Sequence, residues 1–203
     1  MKANRWIRRG GPPAVLALCL CAVVPVVGFN PQAAPKSGRD AGAAGFTEFT
    51  ARVEAYVKLQ KSVESRLPSL KPTDLPEMIT AHQQALARTI REARPHAKAG
   101  DVFTEAARES FRRACRAILE APSARNSRSY MKPGEASPAM RLAVNGTYPD
   151  AEPVTAIPPA LLAAFPPLPA EVAYRVVGRM LVLVDVKSRL IVDIARNILS
   201  PTA

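Results

Sequence analysis

The chain has 203 residues, 28 lysines and arginines against 17 aspartates and glutamates, and a formal net charge of +11. Four of the excess charges, on Lys2, Arg5, Arg8 and Arg9, precede an apolar run, so the body beyond it is less basic than the total implies. Of three cysteines, Cys19 and Cys21 lie inside that run, which leaves Cys115 alone in the body and excludes an internal disulfide framework.

Residues 1–28 combine a basic start, the apolar run Pro12 to Val27 and a small residue at Gly28, the pattern of a secretory signal. Cleavage after Gly28 is expected, with an uncleaved membrane anchor as the alternative. Leu18 before Cys19 and Leu20 before Cys21 do not fit a lipoprotein site, and Gly-Gly-Pro-Pro after Arg8-Arg9 fits twin-arginine export poorly. In either case the N-terminal segment enters the membrane at least transiently, and the body is expected to be exported to the periplasm or the outer face of the cytoplasmic membrane. Residues 29–44, rich in Pro, Ala, Gly and Ser, read as a flexible linker.

Residues 45–121 read as a helical bundle. Phe46, Phe49, Val53, Tyr56, Val63 and Leu67, with Gln60 at the missing step, follow the three-four spacing of one amphipathic helix. A second helix is expected near Asp74, with Asp74 and Glu77 at capping-box spacing and Pro76 in the first turn. Its stripe is Leu75, Ile79, His82, Leu86, Ile90 and Ala93. Asp101 is placed to cap a third helix, with the stripe Phe103, Ala107, Phe111, Ala114, Cys115 and Ile118. Connections of about seven residues suit antiparallel neighbours.

Residues 122–139 read as a basic flexible loop. Between Arg112 and Arg141 lie Arg112, Arg113, Arg116, Arg125, Arg128, Lys132 and Arg141, against the acids Glu120 and Glu135. They offer a binding surface for an anionic envelope component or a protein partner; the plainer reading is a solvated loop. Nucleic acid fits worst, because Tyr130 is the one aromatic in the loop and stacking platforms are missing. Ser129 and Lys132 match a Ser-x-x-Lys arrangement, which supports an alternative reading as an exported serine hydrolase. The companion motifs are absent and Pro133-Gly134 disfavours a supporting helix. A pair of His82 and Cys115 is too few ligands for a metal. No catalytic, cofactor or metal residues are assigned, and the more economical reading is not an enzyme.

Residues 140–199 contain an Asn145-Gly146 hairpin signal, a short helix over Pro158 to Phe165, and the concentrated β-sequence Glu171 to Leu199. Turns at Gly178-Arg179 and Lys187-Ser188 predict a three-stranded meander in which Val177 faces Met180 and Val186 faces Arg189. One face then carries Val172, Tyr174, Val176, Leu181, Leu183, Leu190, Val192 and Ile194, with Asp185 its only charge. The opposite face takes Arg175, Val177, Met180, Val182, Val184, Arg189, Ile191 and Asp193. Arg175, Val182 and Asp193 would lie side by side across the strands. A one-residue slip would put Asp193 among apolar residues, which favours the paired register.

The blocks Pro166 to Pro169, Tyr174 to Arg179 and Leu190 to Asp193 resemble the ending of exported bacterial proteins of uncharacterised activity, with the pattern PPLP, YRxVGR, LIVD. The resemblance implies export and carries no activity onto any residue. The expected fold is α+β: an antiparallel bundle of about three helices packed on a small C-terminal antiparallel meander. Residues 45–121 and 140–199 make one domain. The expected function is that of a non-catalytic binding or structural module.

Overall fold

A computed structural model describes residues 38–121, 142–149 and 157–199, with side chains from residue 42. The expected export segment, Arg125, Arg128, Ser129 and Lys132 lie outside the described residues. Among the described residues, four helices, α1 (Gly38–Glu64), α2 (Pro76–Ala93), α3 (Glu105–Leu119) and α4 (Pro159–Ala164), are followed by β1 (Val172–Val177), β2 (Met180–Asp185) and β3 (Ile191–Ala195). The strands form an antiparallel sheet in the order β1-β2-β3. The fold is α+β.

Helix α1 packs against both α2 and α3. It starts at Gly38, inside the stretch expected as a linker. Gly45 is buried where α1 crosses α3, and a Cβ there would run into Ser110 Oγ and the Ala106 carbonyl oxygen. Only glycine permits that approach.

Both expected caps are displaced. Helix α2 starts at Pro76, one residue later than an Asp74 cap requires, and Leu75 occupies the N-cap without a side-chain bond. Thr73 Oγ1 instead accepts from the Leu75 N–H at 3.2 Å. Thr104 caps α3, accepting from the Ala107 N–H at 3.3 Å. Asp101 closes the preceding turn by accepting from the Lys98 N–H at 2.9 Å.

The α2 stripe is buried only in its second half, at Leu86, Ala87 and Ile90. Leu75, Met78 and Ile79 are exposed, and so is Ala93. The α3 stripe holds more fully: Phe103, Ala107, Phe111 and Cys115 are buried.

One cluster joins α1, α2, α3, α4 and the helix-facing side of the sheet. Its centre is aromatic. The Phe111 ring lies 5.0 Å from Phe46 and from Phe49, 5.4 Å from Phe103, 4.8 Å from Phe165 and 5.9 Å from Tyr174, centroid to centroid. All five are edge-on, the geometry that puts ring edges against the electron-rich face.

The first hairpin has the expected register, Val177 opposite Met180, with Gly178 at a φ of 57°. The second begins as expected, with Val184 opposite Ile191, and then shifts by one residue. Beyond the irregularity Asp193 lies opposite Leu183, Ile194 opposite Val182 and Ala195 opposite Leu181. The slip therefore occurs inside β3 as a bulge, not at the turn. It moves Asp193 to the helix-facing side and Ile194 to the other, so Arg175, Val182 and Asp193 do not form a row.

The far face is not open. Val177, Val182, Val184, Ile191 and Ile194 cluster with Leu142 and Tyr148. The Asn145-Gly146 signal forms a tight turn, with Asn145 at a φ of 62° and the Gly146 N–H donating to the Ala143 carbonyl at 2.9 Å. This segment adds a single bridge, Thr147 to Leu190, beside the sheet. The Asn145 side-chain amide donates to the Arg94 carbonyl at 3.1 Å and so ties the turn to the end of α2.

Candidate functional site

Among the described residues two carboxylates, Asp185 and Asp193, are wholly buried. Asp193 is held by main-chain donors alone: the N–H groups of Val102 and Phe103 at 2.7 Å, Gly100 at 3.0 Å and Ile194 at 2.7 Å. The loop before α3 thus forms a nest of N–H groups, the arrangement that elsewhere binds anions, and the chain's own carboxylate fills it. Gly100, at a φ of 97°, lets the loop turn its donors inward.

Asp185 accepts from the Tyr56 hydroxyl at 2.9 Å and from the Ser188 N–H at 2.7 Å. The Arg94 guanidinium sits 5.2 Å from the Tyr56 ring centroid and donates to the carbonyl of the bulged Val192 at 3.0 Å. Burial, and then the Asp185 carboxylate, push the Tyr56 hydroxyl well above its ordinary range. It stays protonated and acts as a fixed donor. These groups pin α1 and the end of α2 to the sheet through partners inside the fold.

The basic residues singled out from sequence separate. Arg112 Nη1 lies 3.2 Å from both Glu105 Oε1 and Glu109 Oε2 on its own helix. Arg113 is 3.9 Å from Glu109 Oε1. Arg108 pairs with Glu105 at 2.8 Å. Arg116, one turn further on, is exposed and joins no ion pair among the described residues. Charge on α3 is therefore uneven: both acids, Glu105 and Glu109, sit in its first half, and Arg113 and Arg116 make its last turns positive.

His82 is half-buried on α2 and Cys115 is buried on α3. Burial pushes the Cys115 thiol up to about 12, which disfavours the thiolate that a metal would need. Among the described residues no group of three or more His, Cys, Asp or Glu is placed to hold a metal.

A polar cleft of about 360 Å3 was not foreseen. Thr80, Gln84, Arg88 and Arg91 line it from one side of α2, and Thr147 and Arg189 from the facing segments. No carboxylate is among the described residues lining it. The signal was present in the sequence as Thr80, Gln84 and Arg88 at successive four-residue steps, opposite in phase to the apolar stripe. What periodicity could not supply was the opposing wall.

Two apolar hollows flank α4. One, of about 730 Å3, lies between the Pro166 to Leu168 stretch and β1; the other, of about 540 Å3, between α1 and Phe165. Among the described residues no helix is long and apolar enough to cross a membrane. Comparison of the chain with protein-family models, curated proteins and solved structures found no match.

Proposed function

We propose that the protein is an exported, non-catalytic module that contacts an anionic envelope surface through the basic end of α3 and the basic residues that follow it in sequence. The observation that carries this reading is the charge gradient on α3. Glu105 and Glu109 pair with Arg108, Arg112 and Arg113, two acids against three bases, whereas Arg116 has no carboxylate partner among the described residues. In sequence Arg125, Arg128 and Lys132 follow, with Glu120 the only acid between Arg116 and Lys132. Cations near an anionic leaflet contribute about 1 kcal/mol each, which several together turn into useful affinity.

The test is co-sedimentation of the full chain with anionic vesicles over a range of salt. Binding is expected to weaken as salt rises, and replacing Arg116, Arg125, Arg128 and Lys132 by alanine should remove the salt-dependent part. Equal binding by wild type and the alanine variant would reject the proposal.

A further inference from the structure

We propose that the cleft between α2 and the turn around Asn145 binds a phosphate monoester carried on a polyol, the chemistry of a sugar phosphate. Its volume of about 360 Å3 lies at the small end of ligand sites. Its polarity is divided along its length. Thr80, Gln83 and Gln84 line the end nearer the start of α2, and Arg88 and Arg91 the end nearer its last turn. From Thr80 to Arg91 the helix rises roughly 16 Å at 1.5 Å per residue, enough for a hydroxyl-rich body with an anionic head.

The cationic end is prepared in advance. Arg91 Nε donates to the Asn145 carbonyl at 2.8 Å and Nη2 to Thr147 Oγ1 at 3.1 Å. Those two bonds fix the plane of the guanidinium and leave its other N–H donors for a ligand. Arg88 is exposed and makes no hydrogen bond or ion pair with a described residue. A doubly charged phosphate suits two guanidinium forks better than a single carboxylate would. The C-terminus of α2 opposes an anion with about half a charge, less than the two arginines supply. The amides and the Thr80 hydroxyl at the other end can both donate and accept, which suits sugar hydroxyls. These residues are distinct from those of α3, so this site stands or falls separately from the envelope contact.

The probes are glucose 6-phosphate, inorganic phosphate and glucose, titrated calorimetrically into the full chain, together with vesicles bearing phosphatidylinositol 4-phosphate. Glucose 6-phosphate should saturate the site at least about tenfold more tightly than inorganic phosphate, a gap of about 1.4 kcal/mol, and glucose should not bind. Arg88→Glu should weaken binding at least about tenfold at an unchanged melting temperature, since Arg88 is exposed. Thr80→Val should weaken glucose 6-phosphate without changing inorganic phosphate. Capture by these vesicles in excess of that by vesicles of equal charge lacking the phosphate monoester, with the excess lost in Arg88→Glu, would place the phosphate on a lipid headgroup; competition by the soluble ester would place it on a free sugar. The idea is overturned if neither form binds, if the ester and inorganic phosphate bind equally, or if Arg88→Glu binds like wild type.

Discussion

The Val102 N–H donates to the Asp193 carboxylate at 2.7 Å and so ties the loop before α3 to the bulge in β3. Phe103, Gly100 and Ile194 share the same carboxylate. Asparagine keeps the shape but offers one carbonyl oxygen and turns its NH2 toward donors. Hydrogen bonds to a charged acceptor are worth about 1.5–3 kcal/mol, and a buried donor left unmet costs about 1–3 kcal/mol. Asp193→Asn should therefore lose about 3 kcal/mol or more, read from urea unfolding. A loss under about 0.5 kcal/mol, the usual range of a surface substitution, would contradict the assignment.

Gly45 and Gly42 make a matched pair on α1. In an exposed helix either change to alanine would gain about 1 kcal/mol. At Gly45 the new methyl meets Ser110 Oγ and the Ala106 carbonyl, and such overpacking costs about 1–3 kcal/mol. At Gly42 it meets only the flexible end of Arg113, at 3.2 Å. Gly45→Ala should lower the melting temperature and Gly42→Ala should hold or raise it. The same sign for both would show that the helices separate more readily than the packing implies.

Leu183 is fully buried on the helix-facing side of β2. Leu183→Ala should cost about 2–5 kcal/mol. Phe111→Ala removes the shared partner of five aromatic rings and should cost about 3–5 kcal/mol. By contrast, the Lys187–Glu64 pair at 2.6 Å has its lysine more than half exposed, and Lys187→Ala should cost less than about 1 kcal/mol. Chemical denaturation of the three variants gives the order directly.

Alkali should weaken the fold. The Cys115 thiol is pushed from 9.0 to about 12 by burial, and burial also raises Tyr174. From pH 9 to about 12 the unfolded chain gives up a Cys115 proton that the folded chain keeps. Unfolding therefore becomes easier as pH rises: the full benefit of the neutral thiol holds below pH 9 and is gone above about 12. The urea midpoint should drop between about pH 8 and about pH 10.5, with a shallower drop in Cys115→Ala. Equal drops in the two chains would remove Cys115 as a cause.

The helices and the first hairpin were legible because their residues repeat at the period of the element they form. Phe103, Ala107 and Phe111 fall on one face of α3, and Gly178 marks a turn that needs positive φ. The bulge was not legible. Strict alternation from Arg189 puts Asp193 outward, where a lone aspartate costs least, and only the distant donors of Gly100 to Phe103 make its burial favourable. The caps failed for a related reason: Asp101 and Asp74 have the right chemistry, but the helices start later, at Glu105 and Pro76. The cleft needed the facing wall from Thr147 and Arg189, which local spacing cannot place.

Tyr56 on the first helix and Asp185 on the second strand are 129 positions apart, yet they meet in the interior. A chain whose central contacts join such remote segments must close long loops before those contacts repay the entropy lost, so folding should be slow for its size. Helices made early would stand with Phe49 and Phe111 uncovered until Tyr174 arrives, a window in which sticking to other copies competes with completion. How quickly the last thirty or so residues dock, more than how strongly they hold, would then decide the yield of folded protein.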